Sequence, residues 1–146
     1  MNQIEKQIDR IIAGLKLIDE LKSVRFVREY GSHNVEMPIR GILAVVSVTD
    51  TSLSKSYIGG YLSSTVRGDS YKANVEIRVY APADENGNGL SEIVSEMLLG
   101  LKKADSEKII VDSNASSIVF DPDMNAIYRK VNFTVEFYLC EEGSLG

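Results

Sequence analysis

The chain has 146 residues, a formal net charge of −5 at pH 7 and a pI near 4.9. Its apolar content of 44% and charged content of 25% are typical of a globular domain and exclude collagen-like, coiled-coil and disordered classes. The acidic balance disfavours nucleic acid as a partner, because phosphate binding depends on clusters of Lys and Arg. With no apolar run of the roughly 18 residues that a bilayer requires and no signal peptide, we expect one cytoplasmic domain over residues 1–146, without membrane contact.

The first predicted element is an amphipathic helix over residues 2–22. Acidic and basic residues lie between its apolar positions in similar numbers, whereas a membrane-surface helix would carry an excess of Lys and Arg. We therefore expect this helix to pack on a sheet. A short strand over residues 24–29 and a turn over residues 31–34 follow. The apolar stripe recurs at steps of three and four: Ile4, Ile8, Ile11, Ile12, Leu15, Ile18 and Leu21.

The middle of the chain predicts a strand followed by an arm. Residues 39–48 are almost all apolar, which is typical of a strand covered on both faces. The next segment is rich in Ser, Thr and Gly, and its Gly59-Gly60 pair between apolar and aromatic residues is a hairpin signal. Because structureless loops of this length are uncommon in compact domains, we expect a protruding hairpin arm over about residues 50–72. Alternation over residues 73–79 predicts another strand with one wet face.

The second half of the chain predicts a helix and a closing set of strands. A loop rich in Gly and Asn leads into an amphipathic helix over residues 90–103. Short strands follow over residues 109–111 and 116–120. The turn at residues 121–125 then joins the second of these strands to the final strand as a hairpin.

The longest apolar alternation lies in the final strand, residues 127–139. From Val131 onward odd positions are apolar and even positions are mostly polar, which predicts a strand with one wet face. At about 3.4 Å per residue it spans roughly 40 Å, about twice the usual strand. A strand that outruns its own domain bends or reaches a neighbour. Residues 141–146 are predicted to form a loose tail.

The order of these elements predicts the fold class. Strands and helices do not alternate as a parallel doubly wound sheet requires. We therefore predict an α+β fold, in which an antiparallel or mixed sheet carries both amphipathic helices on one face and a hairpin arm protrudes.

No set of residues in the sequence has the spacing of a catalytic or metal site. A single Cys excludes an internal disulfide and a thiolate zinc site, and a single His offers only one candidate base to activate a nucleophile. Asp121, Asp123 and Asn125 match the start of a calcium loop, but the Gly and Glu needed at its sixth and twelfth positions are missing. The Arg-Gly-Asp tripeptide at residues 67–69 is predicted to be a tight turn. We expect no enzyme, no cofactor and no metal.

The chain is acidic and free of motifs, with a leading amphipathic helix, a long polar arm, a strand running into helix 90–103 and a closing hairpin that ends in an overlong strand. In this order of elements it resembles, over nearly its whole length, the tail terminator (tail completion) proteins of bacteriophages and related contractile particles. The resemblance implies a hexameric ring that sits on the last ring of tail-tube protein, stops tube polymerisation and offers a joining surface for a head or collar. The implied partners are further copies of the chain, tail-tube protein and a sheath or head-connector protein. The implied location is a virion or phage-like particle, made in the bacterial cytoplasm.

Ring formation needs a head-to-tail contact that closes, and free sheet edges or arms can supply one. Two alternatives stay open: a head-to-tail connector or adaptor, and a small α+β enzyme or ligand-binding domain with a site built from scattered residues. Tyrosine suits subunit contacts because it combines a large apolar area with a polar tip. The predicted contact residues lie on the arm and the final strand: Tyr57, Ile58, Tyr61, Leu62, Val66, Tyr128, Lys130 and Tyr138.

Overall fold

A computed structural model describes the backbone of residues 3–28, 41–61, 66–82 and 89–142, and the side chains of residues 4–28, 41–51, 71–82 and 89–137. Over these ranges the chain forms two helices and a mixed sheet of six strands, which confirms the predicted α+β class. The elements are α1 (Gln3–Lys16), β1 (Arg25–Arg28), β2 (Leu43–Tyr61), β3 (Val66–Pro82), α2 (Leu90–Ala104), β4 (Ile110–Ala115), β5 (Val119–Asp121) and β6 (Ala126–Glu142).

The sheet has the strand order β1-β2-β3-β6-β4, and β5 pairs with β6 next to β4. β1 runs parallel to β2, and all other pairs are antiparallel. Since β3 pairs with β6 along its whole length, β4 and β5 share the other edge of β6. One margin of the sheet is therefore β1 with the part of β2 beyond it, and the opposite margin is β4 with β5.

Both helices pack on one face of the sheet and share one hydrophobic core with it. Alternation along each strand places every second residue on this face, as the period-two pattern predicts. The largest fully buried side chain of this core is Phe133, at the middle of β6. Core residues come from each layer: Ile8, Ile11 and Leu15 from α1, Val94, Met97 and Leu101 from α2, Val46 from β2, Val75, Ile77 and Val79 from β3, and Val131, Phe133, Val135 and Phe137 from β6.

The two helices approach each other closely at small residues. A Cβ atom built on Gly14 of α1 would lie 2.8 Å from the Cβ and 3.1 Å from the Cα of Ala104 in α2. One turn earlier in α2, Gly100 receives the side chains of Leu15 and Ile18. Glycine at these two positions lets the helix backbones come together, so both helices can lie side by side on a sheet of limited width.

Helix α1 ends at Lys16, so the predicted extent to residue 22 is wrong at its C-terminal end. The N–H groups of Leu17 and Ile18 donate to the carbonyls of Gly14 and Leu15, and these i to i−3 bonds tighten the last turn. Ile18 is then extended, and a short 3₁₀ turn follows. The apolar spacing misled because residues beyond the break still point into the core: Leu21 is fully buried.

The predicted arm is a continuation of the sheet, because β2 and β3 pair through most of residues 50–72. The hairpin turn predicted at Gly59-Gly60 is wrong, since both glycines lie within β2. They fall in a register irregularity between the pairs Ser56 with Asp69 and Tyr61 with Arg67, and glycine inside a strand is typical of such a bulge. The Arg-Gly-Asp tripeptide is likewise part of β3 and not a tight turn.

The overlong closing strand is confirmed, and at 17 residues β6 is longer than predicted. Glu141 and Glu142, predicted as the start of a loose tail, pair with Arg67 and Val66. The rest of the predicted tail, residues 143–146, and the predicted turn at residues 31–34 lie outside the described residues.

The predicted turn before β6 is confirmed. A side-chain oxygen of Asp121 accepts the backbone N–H groups of Asp123 at 2.9 Å and Met124 at 3.4 Å, and Asn125 adopts a left-handed φ of 46°. This local hydrogen bonding explains why these Asp and Asn residues form a turn.

Candidate assembly surface

The face of the sheet opposite the helices is polar. Its side chains come from the even positions of β3 and β6, which the alternation predicted to be wet. No helix among the described residues covers this face. The polar face consists of Lys72, Asn74, Glu76 and Arg78 on β3 and Lys130, Asn132, Thr134 and Glu136 on β6.

Charges on the polar face are matched across the strands. Glu76 contacts Arg78 at 2.8 Å and Lys130 at 3.5 Å, and Lys72 lies 3.8 Å from Glu136. Cross-strand pairs of opposite charge stabilise a sheet modestly and leave the face without a strong field of one sign. This face therefore offers no dense basic patch to a polyanion.

One end of the polar face carries a small second core. Tyr80 and Tyr128 lie with ring centroids 5.1 Å apart, and the guanidinium of Arg78 sits 5.9 Å from the centroid of the Tyr128 ring. Burial raises the pKa of Tyr80 above its usual value, and a hydrogen bond from Arg78 partly offsets that rise. The buried members of this cluster are Val27, Leu43, Tyr80 and Ala126.

The predicted contact residues are only partly brought together. Tyr128 and Lys130 are both half-buried on the polar face, where Tyr128 packs in the second core and Lys130 pairs with Glu76. The backbone positions of the others lie in β2, β3 and β6, except that of Leu62. The side chains of this second group lie outside the described residues: Tyr57, Ile58, Tyr61, Leu62, Val66 and Tyr138.

The margin formed by β4 and β5 carries an apolar strip that the sequence analysis missed. Among the described side chains, six large hydrophobic residues are exposed, and four of them lie in this short segment. The other two, Leu17 and Leu99, belong to the helical layer. A row of exposed apolar residues on an edge strand marks a contact surface more strongly than scattered ones do. The apolar strip is Val111, Ile118, Val119 and Phe120, each between 40% and 55% exposed.

Two groups hold this margin against the body of the domain. The carboxylate of Asp105, buried at the end of α2, accepts the N–H groups of Ile109 at 2.9 Å and Ile110 at 2.8 Å. Between β4 and β5, Ser116 donates its N–H to Lys130 and accepts the N–H of Lys130 on its hydroxyl, both at 2.9 Å. The margin is therefore held against the body at both β4 and its link to β5, although β6 is its only neighbour among the strands that the structure describes.

The long strands stay paired beyond the described core. On the helix-bearing face the core residues nearest this end are Ala73 of β3 and Phe137 of β6, the last residue of β6 whose side chain is described. Backbone pairing of β3 with β6 continues to Val66 and Glu142, and β2 stays paired with β3 as far as Tyr61. A three-stranded ribbon therefore continues for about seven residues of β3, or roughly 20 Å, beyond Ala73.

Cavities in the described part of the chain are small or wide open. One of about 200 Å³ lies between α1 and the β1–β2 margin, and the ion pair of Asp9 with Arg28 stands at its wall. A second, of about 530 Å³, opens at the start of α2 beside Glu20, Glu92 and Glu96. No group of three metal-binding side chains occurs in the described residues, and no helix among them is long and apolar enough to span a membrane.

Comparison with models of known protein families finds none that matches this chain. A search of curated proteins likewise finds no match.

Proposed function

We propose that the protein is a structural assembly component that functions as a tail terminator: copies associate into a ring that caps a tail tube, stops its growth and presents a surface for a head or collar. The single observation that carries this proposal is the sheet itself. It ends on both sides in strand margins with no partner among the described residues, and its longest strands stay paired beyond the last described core residues. Open margins at opposite sides favour head-to-tail association, which closes into a ring when the rotation between copies allows.

The chemistry of the described residues also supports a structural role. The charged groups of the polar face are engaged in ion pairs within and across strands, and Asp105, the one buried carboxylate among the described residues, is occupied by two backbone N–H groups. A closed ring around a tube needs surfaces that recognise protein without trapping the negative charge of a passing genome. The matched charges of the polar face meet that need.

The test combines the oligomeric state with capping. Light scattering coupled to size exclusion, followed by negative-stain microscopy, should show rings of defined mass, and adding the protein to growing tail tubes should stop elongation and leave a density at one tube end. A strict monomer at all concentrations, alone and with tube protein, would contradict the proposal. Binding to portal rings in preference to tubes would instead favour a connector.

A further inference from the structure

We infer that the β4–β5 margin of one copy pairs edge to edge with the part of β2 beyond β1 in the next copy, so that the sheet continues from copy to copy. This inference rests on the proposed ring-forming function and assigns the contact that builds the ring. The occupant of the apolar strip is therefore a second copy of this chain, and the segment that covers it is the part of β2 beyond β1.

Neither margin carries the prolines or the dense lysines that protect many edge strands of monomeric proteins. Lys, Pro and inward-pointing charges commonly prevent such edges from pairing. Residues 110–121 contain no Lys, Arg or Pro, and residues 47–61 contain one Lys and no Pro. The first margin also carries Asp112, Asp121 and a register shift between Ile110 and Asp112, and the second carries Asp50 and three register shifts. With few basic residues and no proline, both edges can still accept a strand.

Strand direction favours this pairing. β2 and β6 run in the same sense, because each is antiparallel to β3, and β4 and β5 run opposite to β6. When copies are placed side by side in the same orientation, the β4–β5 margin therefore meets the neighbour's β2 in the antiparallel sense. Antiparallel pairing is the more stable kind per residue and needs no rearrangement of either margin.

The lengths of the two margins restrict the register. Among the described residues β1 pairs with the first four residues of β2, and residues 47–61 have no partner on that edge. Because of register shifts, these 15 residues occupy ten ladder positions, opposite residues 67–76 of β3. The opposite margin, residues 110–121, likewise occupies ten positions, opposite residues 126–135 of β6, so one register aligns the two margins along their whole length. In that register Val119 faces Asp50, and in the register shifted by two positions away from β1 it faces Ser52. The incoming margin then lies on the outer side of β2, in line with β1.

The faces of the sheet exclude registers that are shifted by a single position. Val119 pairs with Tyr128 and so belongs to the polar face, as does Asp50, which pairs with Asn74. Because side chains alternate between faces, only positions 50 and 52 keep the two polar faces continuous. In both registers the neighbour's strand lies directly beside the exposed strip, whose members Val119 and Phe120 point to opposite faces, and the helices of adjacent copies stay on one side of the extended sheet.

Disulfide trapping tests the pairing directly. In a Cys140→Ser background, Val119→Cys protein is mixed with Asp50→Cys protein, and separately with Ser52→Cys protein, under mild oxidation. Directly opposed residues of an antiparallel pair have Cα atoms about 4.5 to 5.5 Å apart, which a disulfide can span. We expect one of the two mixtures to yield a covalent dimer of unlike chains. A Val119→Cys protein that instead links to itself indicates a two-fold contact and overturns the inference, and so does the absence of any link in both mixtures.

A second experiment separates failure of this inference from failure of the proposed function. Phe120→Lys places a charge on the strip, whereas Leu99→Lys makes the same kind of change at a comparably exposed residue of α2, 60% against 55%. We expect Phe120→Lys to weaken association by about tenfold or more and Leu99→Lys to leave it unchanged, with circular dichroism confirming that both fold. Rings that form equally well with Phe120→Lys overturn the inference but leave the proposed function standing. A wild-type protein that never associates overturns both.

Discussion

Replacing Gly14 by alanine sets two effects of known size against each other. Helix propensity alone predicts a gain of up to about 1 kcal/mol, and less here because Gly14 lies in the last turn of α1. Packing predicts a loss, because the new methyl group would lie 2.8 Å from the Cβ of Ala104, where carbon contacts are normally about 3.5 to 4.0 Å. Overpacking of this kind costs about 1 to 3 kcal/mol. We therefore expect Gly14→Ala to destabilise the protein by about 1 to 2 kcal/mol.

Urea unfolding followed by far-UV circular dichroism, at one protein concentration for all variants, measures this balance. The exposed neighbour Ala13, changed to glycine, reports the propensity term in the same turn without touching α2. Ala104→Gly removes the methyl group that obstructs the new side chain, so the double variant should recover about 1 to 2 kcal/mol relative to the sum of the single changes. A stabilised Gly14→Ala protein would refute the close helix approach, as would a double variant whose effects simply add.

Three further predictions concern single side chains. Phe133→Ala should lower the free energy of unfolding by about 3 to 5 kcal/mol, since Phe133 is 2% exposed. Phe120 is 55% exposed, so Phe120→Ala should lower it by less than about 1 kcal/mol. Urea titrations of the dissociated protein measure both. Asp105→Asn should cost about 1 to 3 kcal/mol, because the amide cannot accept both backbone N–H groups, and the exposed Asp112→Asn should be nearly neutral in the same titration. Because burial raises the pKa of Tyr80 above 10.0, its stabilising effect is complete below that pH and is lost as the pH rises through the folded-state pKa. Tyr80→Phe should therefore flatten the alkaline decline in thermal stability, and an unchanged decline would contradict its burial.

Much of the fold was predictable because the spacing of the apolar residues determines which side of each helix and strand is buried. The alternation in β3 and β6 assigned Val75, Ile77, Val131 and Phe133 to the buried face, and each is buried there. The spacing of three and four between apolar residues likewise identified the side of each helix that packs on the sheet. The end of α1 was not predictable from these steps, because Leu21 keeps the helical spacing although the backbone has already left the helix.

The arm shows where local signals mislead. A Gly-Gly pair between apolar residues is a hairpin signal only when the strands end there. In this protein the chain continues in β2 past Gly59 and Gly60, and the pair falls at an irregularity of the ladder. The pairing partners lie in β3, and no window of sequence around the glycines contains that information.

The position of the β4–β5 margin at the edge of the sheet could not be predicted from the sequence either. The strand predicted over residues 116–120 is confirmed only at its end, as β5, and Ile118, Val119 and Phe120 have the composition of a buried strand. Only the topology reveals that this segment lies at the edge of the sheet, with β6 as its sole neighbour among the described strands. Exposure of an apolar strand is a property of the whole fold, and for this reason the predicted contact residues were assigned to the arm and the final strand instead.

Hydrogen exchange followed by mass spectrometry, at protein concentrations below and above assembly, tests most directly whether copies complete one another's sheets. Backbone amides in residues 110–121 and 47–61 should gain protection together as rings form, while those of α1 do not change. Rings that assemble without added protection in either segment would contradict edge-to-edge pairing of copies.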